Sequence, residues 1–129
     1  MALLYKPKVN SSNVAAAVWF AVGVAYEIFL RHGHDCIVTS LTDGQHSRQS
    51  FHYGGWAVDL RTWHLPNQSL KDVILAELQE ALQPLDYFVQ YEPTIRESDR
   101  ITRGEHFHIH YRGAHRALVP PPVGKRQGE

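Results

Sequence analysis

Apolar positions along the chain follow two rhythms. From Val14 to Leu30 they are so dense that most faces of a helix would be apolar, and Gly33 stands where such a helix would stop. Ser11, Ser12 and Asn13 precede it as N-cap candidates, so the pattern predicts a helix to about His32, packed centrally against a sheet. A second helical period, through Val73, Leu75, Ala76, Leu78 and Leu82, opens on the capping-box-like Ser69-Leu70-Lys71-Asp72 and is ended by Pro84. Lys71, Glu77 and Glu80 would form its solvated face.

The other rhythm has a period of two or consists of short β-branched runs, and it predicts strands at Cys36–Ser40, Trp56–Thr62, Asp86–Tyr91 and from Glu105 or His106 to Tyr111. In the second of these, alternation puts Ala57 and Asp59 on one face and Trp56, Val58 and Leu60 on the other. Residues 1–10 are expected to be extended or irregular around Pro7. The polar run after Leu41, with its Asp43-Gly44 turn signal, and the charged stretch Glu92–Gly104 are expected to be loops. The fold class is therefore α+β: a small antiparallel sheet packed against an N-terminal helix and a central helix. One domain over residues 1–118 is expected, followed by a flexible proline-rich tail at 119–129.

Composition narrows the possibilities. A chain of 129 residues is long enough to bury about two-thirds of its unfolded surface without disulfides, and Cys36, the single cysteine, is expected to be an inert core thiol. Thirteen basic and thirteen acidic side chains cancel, which argues against nucleic acid or an anionic membrane surface as partner. The apolar run Val14–Tyr26 falls short of the roughly 20 residues that span a bilayer. Lys6 and Lys8 before it, and Gly23 and Ala25 within it, are the parts of a signal peptide. Polar residues 10–13 interrupt that arrangement and the helical pattern continues through Glu27, Ile28, Phe29 and Leu30, so a buried helix in a protein made in the cytoplasm is expected.

Nine histidines are the compositional outlier, and His46, His52, His106, His108 and His110 fall in two stretches. Asp59 is a carboxylate inside an apolar strand, where an unpaired charge is costly and a metal ion would offset it. On the last strand His106, His108 and His110 share a face, whereas Glu105 points the other way unless a bend at Gly104 returns it. Histidine and aspartate suit zinc, which in catalytic sites takes three protein ligands and keeps one position open. Glu105 is the candidate base. Which histidines of the run are ligands stays open at this level.

Ser50-x-His52-x-x-Gly55-x-Ala57-x-Asp59 followed by Glu105-x-x-His108 resembles the signature of the M15 zinc peptidases, the D-alanyl-D-alanine carboxypeptidases and L-alanyl-D-glutamate endopeptidases. The stretch Thr39 to His52 is most similar to short phage-associated members. The resemblance covers roughly residues 36–113 and implies a hedgehog/D-Ala-D-Ala peptidase-like fold. It implies that His52, Asp59 and His108 hold Zn2+ and that Glu105 is the general base. The aligned Glu-x-Trp-His-Phe-x-Tyr pattern favours His108 over His106 or His110 as ligand, with Phe107 in place of the tryptophan. His110 would then hydrogen-bond the substrate oxyanion, and Ser50 and His106 would support the ligands by hydrogen bonding. The family's Ser-Gly-Tyr-Arg-Ser segment is replaced by Ser40-Leu41-Thr42-Asp43-Gly44, without arginine, and Arg48 is the substitute in the same loop.

The implied function is zinc-dependent hydrolysis of peptidoglycan stem peptides next to a D-amino acid, at the cell wall or carried in a phage particle. The alternative is a non-catalytic, zinc-stabilised structural or wall-binding component of a phage particle, in contact with other particle proteins. Metal-dependent single-strand nucleases also use a histidine-hydrophobic-histidine motif, but they need a nucleophilic tyrosine on a later helix. After His110 there is only Tyr111.

Overall fold

The computed structural model describes residues 1–9, 14–41 and 56–113. The predicted fold class holds at the level of an α+β domain with two helices and a small, mostly antiparallel sheet. Its elements are β1 (Leu3–Tyr5), α1 (Ala16–Arg31), β2 (Cys36–Ser40), β3 (Ala57–Arg61), α2 (Gln68–Leu82), β4 (Tyr87–Glu92), β5 (Ile95–Glu97), β6 (Arg100–Arg103) and β7 (His106–Tyr111). Strand order in the main sheet is β1-β2-β3-β7-β4.

Three expectations change. Residues 3–5 form a strand that runs parallel to β2, so the sheet is mixed; α1 supplies the long crossover that a parallel pair needs. The charged stretch after Glu92 contains the β5–β6 hairpin, in which short alternating segments flank Ser98 in the left-handed region, φ 56°. The cap of α2 is Asn67, whose side chain accepts a hydrogen bond from the Leu70 N–H at 2.8 Å, two residues earlier than the capping-box pattern indicated.

Helix α1 ends as its sequence predicts. Gly33, at φ 77°, donates to Leu30 O at 2.9 Å and His34 donates to Phe29 O at 3.1 Å. This is the paired C-terminal bonding that a left-handed glycine permits. The helix is capped by Ala15, without a side-chain hydrogen bond, and not by Ser11, Ser12 or Asn13, which stand too early in the chain and lie outside the described residues. The helix buries one stripe, Val18, Ala21, Val22, Ala25, Ile28 and Phe29, and leaves Trp19, Phe20 and Leu30 exposed; it is not covered on all sides.

Both helices contribute to one core on the same face of the sheet. Val58, Leu60, Phe107, Ile109, Val89 and Tyr87 meet the α1 stripe and Ile74, Leu78 and Leu82 of α2. Phe107 is fully buried and stands edge-on to Phe29 and Tyr91. A side chain of that size contributes about 2–3 kcal/mol by burial. Cys36 is buried without a disulfide partner, and burial pushes its thiol up to about 12, in keeping with an inert core thiol. Among the described residues, no helix is long and apolar enough to cross a membrane.

Candidate functional site

The site is built on the sheet face that the helices do not cover. Strand β7 lies between β3 and β4, antiparallel to both, in a register that pairs Asp59 with His108, Arg61 with His106 and Ala57 with His110. On the other side Glu92, Gln90 and Phe88 pair with His106, His108 and His110. Directly opposed residues in an antiparallel pair project from the same face. The alternation of β7 therefore turns Phe107 and Ile109 into the core and all three histidines outward, beside Asp59, as the sequence pattern predicts.

The polar groups form a continuous line. Asp59 Oδ1 accepts from His108 Nδ1 at 3.0 Å, and His108 Nε2 meets His110 Nδ1 at 2.9 Å. The His110 ring is stacked on Phe88 with 4.9 Å between centroids. Asp59 is only 8% exposed, so its bond to His108 lies in a partly dehydrated setting where a charge-assisted contact is strong. His106 occupies the other side of Asp59. Its Nδ1 donates to Gly104 O at 2.9 Å. Its Nε2 lies 3.0 Å from Glu92 Oε1 and 3.7 Å from Asp59 Oδ2, yet is aligned with neither for a hydrogen bond. Glu92 in turn reaches Arg103 of β6 at 3.8 Å.

Glu105 is not brought into this line. Its carboxylate is on the helix side of the sheet, 2.7 Å from Lys71 Nζ of α2 and accepting from Thr62 Oγ1 at 2.6 Å. Burial pushes its carboxyl up, but hydrogen bonds from Lys71 and Thr62, the Lys71 charge and a hydrogen bond from Tyr91 outweigh this and hold it below its ordinary value. Glu105 N–H also donates to Thr94 Oγ1 at 3.2 Å. The bend at Gly104 thus does not return the carboxylate to the histidine face; instead Glu105 fastens α2 to the ends of β3 and β7.

Of the expected site residues, Asp59, His106, His108 and His110 come together and Glu105 lies across the sheet. Arg48, Ser50 and His52 lie outside the described residues. Among the described residues, no group of three or more His, Cys, Asp or Glu side chains is arranged to hold a metal ion. The donor chemistry nonetheless fits zinc. A carboxylate oxygen and an imidazole nitrogen stand side by side on adjacent strands, and the third expected ligand, His52, is on the segment between β2 and β3. Glu92, Phe88 and Arg61 share the histidine face and were not singled out from the sequence. The alternation Phe88-Gln90-Glu92 carries the signal, which becomes legible only once β4 is known to neighbour β7.

The chain matches no family model, no curated protein and no solved structure.

Proposed function

We propose that this chain is a zinc-dependent peptidase that hydrolyses peptidoglycan stem peptides next to a D-amino acid. The observation that carries the reading is the line Asp59–His108–His110, with contacts of 3.0 and 2.9 Å on the face left bare by both helices. It joins the two stretches whose wording resembles the M15 signature. His52, Asp59 and His108 would hold the zinc ion, which when bound supplies a Lewis acid for the scissile carbonyl.

The chain's own groups have separable tasks. Asp59 Oδ1 and His108 Nδ1 stand 3.0 Å apart, close enough that both donors would meet one ion, in place of the hydrogen bond between them. His110, braced by Phe88, is placed to donate to the carbonyl oxygen as negative charge develops. The proton-handling role expected of Glu105 passes to Glu92, the glutamate on the same face as the histidines, which stands 3.0 Å from His106. Glu105 keeps a structural role.

The test is hydrolysis of purified cell wall, followed as clearing and as newly released amino groups, with and without a chelator. Zinc-dependent clearing that is lost in Asp59→Ala is expected; absence of clearing by zinc-loaded protein would sink the reading. One observation favours the second reading, a non-catalytic zinc-stabilised wall-binding or phage-particle component: the only base that the M15 resemblance implies is committed to Lys71 and Thr62. Zinc content near one per chain, wall binding and no released amino groups would favour it.

A further inference from the structure

Helix α1 carries an apolar surface that the described part of the domain leaves open. Trp19 and Phe20 are exposed although both are large, and with Gly23, Val24, Ile28 and Ala81 of α2 they line a groove of about 430 Å³. Gly23 is the least expected of these. A glycine in a helix interior costs about 1 kcal/mol relative to alanine, its φ is outside the left-handed region, and a Cβ there would meet nothing within 4 Å. Among the described residues no close contact requires the glycine; its missing side chain widens the groove.

The described chain ends beside this surface. A Cβ on Gly113 would come within 2.4 Å of the Tyr111 ring, so the backbone is folded down on that ring. The Tyr111 and Tyr87 rings are 5.2 Å apart, and Tyr87 is stacked on Phe20 at 6.4 Å and donates to Ala17 O at 2.6 Å. Residues 114–129 lie outside the described residues. Their sequence includes Ala117-Leu118-Val119-Pro120-Pro121-Pro122-Val123, apolar at every position. Proline runs are preset to the polyproline II form and fit aromatic-lined grooves with little loss of entropy.

We propose that the groove on α1 is the docking site of the chain's own residues 117–123, with Trp19 and Phe20 as its aromatic walls. The lengths agree. The groove follows α1 from Trp19 to Arg31, about 18 Å at the helical rise, and seven residues in polyproline II cover about 22 Å. Residues 114–116 span about 10 Å when extended, enough to pass from Gly113 over the Tyr111 and Tyr87 rings to Phe20. The segment therefore enters at Phe20 and leaves at Arg31. A tethered occupant meets its groove at an effective concentration on the order of millimolar, so contacts too weak to hold a free peptide suffice. The proposal is independent of the peptidase reading, because the groove lies on the helix side of the sheet and the histidines on the other.

The test uses the full chain with a nitroxide spin label on Gly124→Cys; the native thiol of Cys36 is buried and stays unlabelled. NMR spectra of dilute protein are compared before and after reduction of the label. Several-fold broadening of the Glu27 and Arg31 amides is expected, stronger than that of Ala17 and unchanged on dilution. A free tether from Gly113 gives the opposite order, with Ala17 broadened most; that order, or no broadening, overturns the proposal. Pro121→Asp and, separately, Phe20→Asp should each remove most of the broadening. Phe20 is half exposed, so its variant should keep the circular dichroism spectrum of the parent, and if it does not, Pro121→Asp decides. Broadening that survives Pro121→Asp overturns the proposal. Broadening that appears only when spin-labelled chains are mixed with separate isotope-labelled chains assigns the groove to a second copy and equally overturns docking within the chain.

Discussion

The two faces of strand β7 carry opposite chemistry. On one, Phe107 and Ile109 are sealed under α1 and α2. On the other, His106, His108 and His110 join Asp59 and Glu92 in a line of polar contacts. The contrast teaches that the apolar core and the polar cluster are divided by the pleat: a shift of one residue in position exchanges one face for the other. The two glutamates repeat the lesson. Glu105, just before β7, is tied to Lys71 on the helix side, and Glu92 of β4 faces the histidines.

The largest effect should come from the histidine face. Asp59→Ala is expected to lower wall hydrolysis by about a thousandfold, equivalent to about 4 kcal/mol of barrier, and to reduce zinc content. Its circular dichroism spectrum should stay near that of wild type. Loss of fold instead would show that the two faces are not separable.

On the opposite face, Phe107→Ala should cost about 3–5 kcal/mol of stability through the cavity it leaves, read as a lower urea midpoint. A smaller cost would mean that the core under α1 and α2 collapses to fill the space.

The glutamates sharpen the division. Glu105→Gln should destabilise by about 2 kcal/mol, because Lys71 loses its charged partner, with kcat changed less than threefold. Glu92→Gln should do the reverse, lowering kcat at least tenfold with the urea midpoint nearly unchanged. The pH dependence has a definite sign. Glu105 is held below its ordinary value in the folded state, so it binds fewer protons folded than unfolded. Its contribution is therefore complete above the unfolded value of about 4.3 and is lost as pH falls through the lower folded value. Urea titrations between pH 7 and pH 3 should show a steeper acid loss in wild type than in Glu105→Gln; equal slopes would remove Glu105 as the cause.

The smallest effect belongs to a turn that serves only the fold. Gly33→Ala, at φ 77°, should cost about 1 kcal/mol, measurable as a lower Tm, without altering hydrolysis.

Local pattern made much of this legible. The core strands and both helices follow from apolar period, and the split of β3 into Val58 and Leu60 against Ala57 and Asp59 follows from alternation alone. The parallel β1 was not legible, because a three-residue strand with Pro7 close behind carries too little pattern to distinguish it from irregular chain. The β5–β6 hairpin was hidden by its charge, which reads as loop when no apolar face marks it as strand. Alternation already points Glu105 away from the histidines; that no bend at Gly104 returns it was not legible, because its partner, Lys71, is 34 positions away in sequence and reaches it only when α2 lies on the core face.

What the sequence by itself determined is which side chains travel together: three histidines on one face of a strand, and Asp59 opposed to the apolar residues of its own. These are consequences of the fixed geometry of a pleated backbone, which acts within a few residues. Only the tertiary structure decided that β7 enters between β3 and β4, in the register that sets His108 against Asp59, His106 between Glu92 and Arg61, and Glu105 on the far side with Lys71. That register is chosen by the burial of Phe107 and Ile109 among residues from α1, α2, β3 and β4, a sum over contacts distant in the chain that no local pattern contains.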